Sequence, residues 1–118
     1  MDKPLEGIRV IAIEQFGAGP YGSMYLAELG ADVIKVENRA TGGDPSRQSG
    51  AVTLADDDSA YFQAFNLSKR SVTVNLKSTE GRAIFEDLVR TADVVWNNLR
   101  GSQPAKLGLD YETLKAVK

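Results

Sequence analysis

The sequence predicts an α/β fold built on an open parallel sheet with flanking helices, and three observations lead to this class. Residues 8–13 form a short, almost wholly apolar run with β-branched side chains, typical of a strand buried on both faces. A helical segment and a second run of this kind follow within the first 36 residues, a spacing that favours a right-handed parallel crossover. Strand and helix patterns then alternate along the rest of the chain, as in an open α/β sheet.

The first three elements follow from residue type. A strand is predicted over residues 8–13 and a second strand over residues 32–36. Between them, a helix is predicted over residues 20–29, because Pro20 suits the first position of a helix and Gly30 is suited to end it. The sheet is therefore expected to start with two parallel strands joined by one helix.

The middle of the chain predicts a long connection followed by further strands and helices. Residues 38–58 are rich in Gly, Ser, Asp and Arg with little periodicity, which indicates a surface loop. A short aromatic-rich helix is predicted over 59–66, a strand over 71–76 and a buried strand over 93–96. The helix between these strands is capped by Ser78, and its predicted apolar stripe consists of Ile84, Phe85, Leu88 and Ala92.

The end of the chain bears on its domain organisation. Residues 111–118 begin a helix and reach the C-terminus after two turns, with no capping residue and no following strand. We interpret residues 1–118 as one domain that is truncated at its C-terminus, the alternative being a natural terminus that frays.

Composition excludes several function classes. The chain has 118 residues, 42% of them hydrophobic, and a net charge of −2, so neither nucleic acid nor a membrane is expected as a partner. It contains no cysteine and no histidine, which removes the thiol nucleophile, the usual general base and the commonest metal ligand, and no metal site is expected. The first residues lack the apolar segment of a signal peptide, so a cytoplasmic location is predicted.

A glycine-rich loop, GAGPYG at residues 17–22, fits the dinucleotide fingerprint G-x-G-x-x-G, and Glu37 lies about twenty residues on, where an acid that binds ribose is expected. Three residues, 14–16, delay the first glycine after the strand, however, and Pro20 removes a backbone donor. The loop is therefore either a backbone cradle for a ligand or only a close turn between strand and helix.

Several charged and aromatic residues have structural interpretations. Glu14 adjoins the glycine loop but is expected to be solvated or to act as a capping residue. Residues 56–58 are three aspartates, expected in a solvated loop. The charges expected at the surface or as a loop cap are Arg47, Lys69 and Arg70. The aromatic residues expected in the core are Tyr61, Phe62 and Phe65, and Trp96 is expected in the core or at a domain interface.

Four stretches in order carry a family resemblance. They are PLEGIRVIAIEQFGAGPYGSMYLAELGADVIKVE at 4–37, GDPSR at 43–47, YFQAFNLSKRSVTVNLKSTEGR at 61–82 and ADVVWNNLRGSQPAKLGLDY at 92–111. Together they resemble the N-terminal region of class III CoA-transferases, a family that includes formyl-CoA and carnitine CoA-transferases and the α-methylacyl-CoA racemases. The resemblance covers nearly the whole chain.

The resemblance implies a Rossmann-like domain that binds coenzyme A, within a longer chain whose two copies interlock into a homodimer. In the transferase branch, CoA moves between carboxylic acids through covalent intermediates on an aspartate. Coenzyme A and acyl-CoA are then substrates, and no tightly bound cofactor is implied. The aspartate lies outside the segment present here, so residues 1–118 alone are expected to be inactive.

Family contacts to CoA can be carried over by position. They fall on Gly17, Ala18, Asn38, Arg39, Val74, Asn98, Leu99, Arg100, Gln103 and Lys106. Transferases often have a glutamine where this chain has Gly17, so Gln15, two residues earlier, is the candidate substrate-side contact. Asn38 stands where some members have a basic residue, and Arg39 is expected to supply that charge.

The remaining carried-over positions suggest separate roles. Val74 is expected to form a wall for the adenine through dispersion contacts. Leu99 replaces an aromatic residue of many members, which weakens base stacking. Lys106 replaces a frequent arginine and can still neutralise the 3′-phosphate of CoA as a point charge.

Three alternatives stay open at this point. The first is an acyl-CoA racemase of the same family, and the second is a nicotinamide-dependent dehydrogenase domain, based on GAGPYG and Glu37. The third is an inactive scaffold with affinity for neither ligand.

Overall fold

The computed structural model describes residues 2–118, which form a four-stranded parallel sheet, flanking helices and a small hairpin. The sheet consists of β1 (Arg9–Ile13), β2 (Asp32–Glu37), β5 (Arg70–Thr73) and β6 (Val94–Asn97), and the hairpin of β3 (Thr53–Ala55) and β4 (Asp58–Ser59). The α-helices are α1 (Ala18–Glu28), α2 (Ala60–Phe65), α3 (Thr79–Arg90), α4 (Gln103–Lys106) and α5 (Tyr111–Lys115).

The strand order is β5-β2-β1-β6, and every neighbouring pair is parallel. Ile11 lies opposite Ile34 on one side and Val95 on the other, so the first strand of the chain is at the centre of the sheet. This order matches the 3-2-1-4 part of the strand order 3-2-1-4-5-6 of a doubly wound fold. The predicted fold class is confirmed.

Each face of the sheet has its own apolar core because successive side chains of a strand point to opposite faces. Ile11 and Ile13 of β1 pack on the face covered by α3, where Phe85 is fully buried. Val10 and Ala12 pack on the other face with Ala27 of α1. Both faces of β1 are therefore buried, as its apolar sequence predicts.

The helix predictions need two corrections. Helix α1 begins at Ala18, two residues before the predicted first position, so Pro20 lies within its first turn. In α3, capping by Ser78 is confirmed, because its hydroxyl accepts a hydrogen bond from the amide of Gly81 at 2.9 Å. The predicted stripe is wrong at Ile84, which is 52% exposed, because the buried face runs through Phe85 and Val89 instead.

The segment 38–58 is more ordered than the predicted surface loop. It contains two 3₁₀ turns, Arg39–Thr41 and Pro45–Gln48, and it ends in the β3–β4 hairpin. Asp44 and Ser46 are both buried in this segment. The Asp44 carboxylate accepts a hydrogen bond from the Ser46 amide at 2.9 Å. The strand predicted over 71–76 is also shorter, ending at Thr73. No helix within residues 2–118 is long and apolar enough to cross a bilayer.

Candidate functional site

A cleft of about 540 Å³ lies at the carboxyl ends of β1 and β2, between the segments that follow β2, β5 and β6. This edge of an open parallel sheet is where ligands commonly bind. The structure brings together six of the predicted site residues along the cleft, namely Gln15, Asn38, Val74, Leu99, Gln103 and Lys106. They come from the four segments that follow β1, β2, β5 and β6, so the fold brings them together at one place.

The other predicted contacts do not line this cleft. Gly17 and Ala18 lie at the start of α1, and the position of a Cβ atom on Gly17 would be 3.3 Å from the hydroxyl of Tyr61. Arg39 is exposed in the first 3₁₀ turn, and Arg100 is exposed after β6. Asn98 is half-buried and faces the turn after β1. Contact with CoA stays a prediction for these five residues and for the six that line the cleft.

The glycines of GAGPYG provide room for other side chains of the protein. A Cβ atom on Gly19 would lie 2.7 Å from Cγ of Asn98, and one on Gly22 would lie 2.7 Å from the ring of Trp96. The indole of Trp96 also donates a hydrogen bond to the carbonyl of Gly19 at 3.1 Å. Both glycines lie in α1, and they allow this helix to pack closely on β6 and on the residue that follows it.

The turn between β1 and α1 is strained and held from both sides. Phe16 has a φ of 62°, in the left-handed region, which costs roughly 1–3 kcal/mol for such a residue. The amide of Phe16 donates to the Asp44 carboxylate at 3.1 Å, and the neighbouring Gln15 exchanges two hydrogen bonds with Asn98. Gln15 lines the cleft, so the turn holds a predicted contact residue in one fixed place.

A buried ion network forms the inner end of the cleft. We define it as Glu14, Lys35, Glu37, Asp44, Arg47 and Lys69. The ammonium group of Lys35 lies 2.8 Å from Asp44 and 3.6 Å from Glu14, and its side chain is 1% exposed. Burial alone would raise the pKa of Asp44, but Lys35 and the amides of Ser46 and Phe16 outweigh it and lower that pKa.

Glu14 is not the solvated acid that the sequence suggests. Its side chain is fully buried and accepts hydrogen bonds from Ser23 at 2.8 Å and from Lys69 at 2.8 Å. The surface interpretation of Lys69 is wrong as well, because its ammonium group also donates to the carbonyls of Pro20 and Phe65. Burial lowers the pKa of Lys69, and its ion pair with Glu14 offsets part of that effect.

Glu37 lines the cleft but all of its hydrogen-bonding capacity is used. One carboxylate oxygen accepts from the Asp44 amide and from Nε of Arg47, and the other accepts from Nη2 of Arg47 and the Ser71 hydroxyl. Burial alone would raise its pKa, but these donors outweigh burial and hold the pKa of Glu37 at about 2. A carboxylate offers about four acceptor sites, so none is left here for a ribose hydroxyl.

Arg47 therefore does more than cap a loop. Its guanidinium stacks on the ring of Phe62 at 3.9 Å and donates to the Asp57 carbonyl, besides pairing with Glu37. Phe62 is buried, and neither it nor Tyr61 nor Phe65 lines the cleft. The core interpretation thus fits Phe62, while the rings of Tyr61 and Phe65 are half-buried against each other.

The outer part of the cleft has a different chemistry. Val36, Val74 and Leu99 provide apolar walls, and the exposed side chains of Lys77 and Lys106 stand at its rim. We call these two lysines the cationic rim, and neither forms an ion pair within residues 2–118. Sequence reasoning missed Lys77, although its place just after the end of β5 was a usable signal. Such a cleft can hold an apolar group beside an anionic one.

The fold and the cleft define the class as an α/β protein with a candidate ligand site at the carboxyl edge of its parallel sheet. The model of the family described as CoA-transferase family III matches residues 5–118, and the chain belongs to that family.

Individual relatives agree with this assignment. The chain is 49% identical to the succinate–glutarate CoA-transferase of Agrobacterium fabrum, over 97% of this chain and 30% of that protein. It is 39% identical to the alpha subunit of succinyl-CoA–L-malate CoA-transferase of Chloroflexus aurantiacus, over 97% of this chain and 26% of that protein. Among solved structures, a CAIB/BAIF family protein from Brucella suis is 40% identical with a TM-score of 0.87, covering 100% of this chain and 32% of that one. The chain thus spans about 30% of the length of these relatives.

Proposed function

We propose that this chain is the CoA-binding part of a class III CoA-transferase. The observation that carries the proposal is the cleft itself, which is lined by six predicted contact residues from four segments of the chain. Its volume of about 540 Å³ lies within the range of small-molecule sites. Family membership makes a CoA thioester the expected ligand.

The charges of the cleft set the orientation of the ligand in this proposal. The phosphates of CoA lie against the cationic rim, because within residues 2–118 neither Lys77 nor Lys106 is paired with a carboxylate. The adenine packs between Val74 and Leu99. The acyl end then points toward Gln15, the predicted contact on the substrate side.

The inner carboxylates do not suit the role of nucleophile. Glu14, Glu37 and Asp44 are buried and bound to cations and amides, which stabilise the anion and cover its oxygens. In the proposed transfer, an aspartate attacks the thioester carbonyl, an anhydride forms and the CoA thiolate leaves. We place this aspartate outside residues 1–118, consistent with a chain that spans about 30% of its relatives.

The substrates follow from the relatives. The two enzymes compared above are named for succinate, glutarate and L-malate, which are dicarboxylic acids. We propose CoA transfer between carboxylic acids for the protein that contains this chain. The interlocked homodimer and the cytoplasmic location stay predictions.

Calorimetric titration of the protein expressed from its complete gene tests this function. Saturable binding of CoA is expected, with NAD neither binding nor competing, because Glu37 has no acceptor free for ribose. A second assay follows the appearance of a new acyl-CoA from succinyl-CoA and a carboxylic acid acceptor by chromatography. Binding of NAD without binding of CoA would overturn the proposal, and so would CoA binding without transfer to any carboxylic acid tried.

A further inference from the structure

Both polar atoms of the Asn98 side chain form hydrogen bonds to the backbone of a neighbouring segment. Its Oδ1 accepts a hydrogen bond from the amide of Gln15 at 3.1 Å, and its Nδ2 donates to the carbonyl of Gln15 at 2.9 Å. This pair of bonds closes a ring between the segment after β6 and the turn after β1. The two residues are separated by 83 positions in the chain, so the pairing is a tertiary contact.

The surroundings of Asn98 keep its amide in this orientation. Gly19 leaves the space that the side chain fills, since a Cβ atom there would come within 2.7 Å of Cγ of Asn98. Rotating the amide away from Gln15 would break both hydrogen bonds and leave two backbone groups without these partners. Gln15 lines the cleft, whereas Asn98 does not.

We propose that Asn98 is a positioning residue, whose side-chain amide holds the turn after β1 and contributes to the site through Gln15. It fixes the backbone of Gln15 from one side, and Asp44 fixes the amide of Phe16 from the other at 3.1 Å. The left-handed Phe16 is thereby kept in place before any ligand binds. The inference rests on the proposed function, because the ligand that Gln15 would meet is CoA or acyl-CoA. It also gives a reason for the second glycine of GAGPYG, Gly19, because a Cβ atom there would occupy the space that the Asn98 side chain fills.

Nuclear magnetic resonance of the wild-type protein tests the inference without any substitution. The side-chain amide of Asn98 is expected to give two distinct, slowly exchanging signals in the ligand-free protein. On addition of CoA, these signals should move less than those of the Gln103 side-chain amide, which lines the cleft. Rapid exchange without ligand, or a shift with CoA as large as that of Gln103, would overturn the inference.

A substitution gives a second, independent readout. In Asn98→Ala, the backbone amide of Gln15 should exchange with solvent roughly tenfold faster, because it loses its acceptor. Asn98→Asp keeps the acceptor oxygen and should retain most of the protection, while it weakens CoA binding by placing a carboxylate against the Gln15 carbonyl. Unchanged exchange of Gln15 in Asn98→Ala would contradict the role. Failure of the proposed function looks different, because CoA would then not bind to the wild-type protein at all.

Discussion

The inner end and the outer rim of the cleft use charge in opposite ways. The buried ion network places carboxylates and cations in direct contact, and the side chains of Lys35 and Glu14 are almost fully excluded from solvent. The cationic rim exposes Lys77 and Lys106 without any acidic partner in the described part of the chain. Paired charges at the inner end fix the shape of the cleft, while the exposed charges leave their donors available to a ligand.

Removing one partner should therefore have different effects in the two regions. A buried ion loses its compensation and bears the cost of desolvation, whereas an exposed ion is solvated by water. We expect substitutions in the buried ion network to lower the free energy of unfolding. Substitutions at the cationic rim should change ligand affinity instead.

The largest effect is expected for Arg47→Ala. It leaves the Glu37 carboxylate buried with no cation and removes the guanidinium stacked on Phe62. Breaking a buried pair in this way typically costs about 3–5 kcal/mol of unfolding free energy. Urea denaturation followed by circular dichroism measures it. Arg47→Lys is the matched control and should lose less, because the charge is kept and only the two-pronged hydrogen bonding is lost. Equal stability of wild type and Arg47→Ala would refute a structural role for this pair.

Lowering the pH should weaken the same ion pair and reduce the free energy of unfolding by nearly as much. The pKa of Glu37 is about 2 in the folded protein, below the ordinary value of 4.5, so its contribution is complete above pH 4.5. The contribution is lost as the pH falls toward 2 and amounts to about 3 kcal/mol. The variant Glu37→Gln separates the contribution of Glu37 from that of the other carboxylates. The difference in unfolding free energy between wild type and variant should become smaller as the pH falls from 4.5 to 2. A gap that does not change with pH would speak against the assigned pKa.

The sheet was predictable from the sequence because its signals are local. The apolar run of β1 and the strand, helix and strand spacing are visible without knowledge of any tertiary contact. The same holds for Ser78, whose cap depends on a residue three positions away. Six of the predicted contact residues also line one cleft, since residues after parallel strands meet at one edge of the sheet.

The buried ion network was not predictable in this way. From the sequence alone, Lys35 is a charged residue of a strand and would be expected in contact with solvent. Its partner Asp44 lies in a segment without periodicity, so nothing in the sequence indicates that the two are paired. Lys69 and Glu14 are 55 positions apart, and only the fold brings them within 2.8 Å. A charged side chain is usually exposed, so single-sequence reasoning assigns the burial of such residues wrongly whenever their partners are distant in the chain.

The next smaller effect is expected at the cationic rim. Lys106→Ala and Lys77→Ala should each weaken CoA binding about five- to tenfold, because each removes a charge beside the phosphates. Neither should change the unfolding free energy by more than about 0.5 kcal/mol, since both side chains are exposed. Calorimetric titration at two salt concentrations measures the affinities, and higher salt should reduce the difference between variant and wild type. A stable variant with unchanged CoA affinity would remove that lysine from the site.

The smallest effect is expected for Arg70→Ala, which breaks an exposed ion pair that lies outside both regions of the cleft. Arg70 lies 2.7 Å from Asp32, a distance as short as that between Arg47 and Glu37, but its side chain is 63% exposed. Exposed pairs contribute about 0.2–1 kcal/mol, and salt screens them. We therefore expect Arg70→Ala to lower the unfolding free energy by less than about 1 kcal/mol, with CoA affinity unchanged. The ion-pair distance is the same in both pairs, so only burial distinguishes them. An effect equal to that of Arg47→Ala would therefore show that burial does not set the contribution of an ion pair to stability.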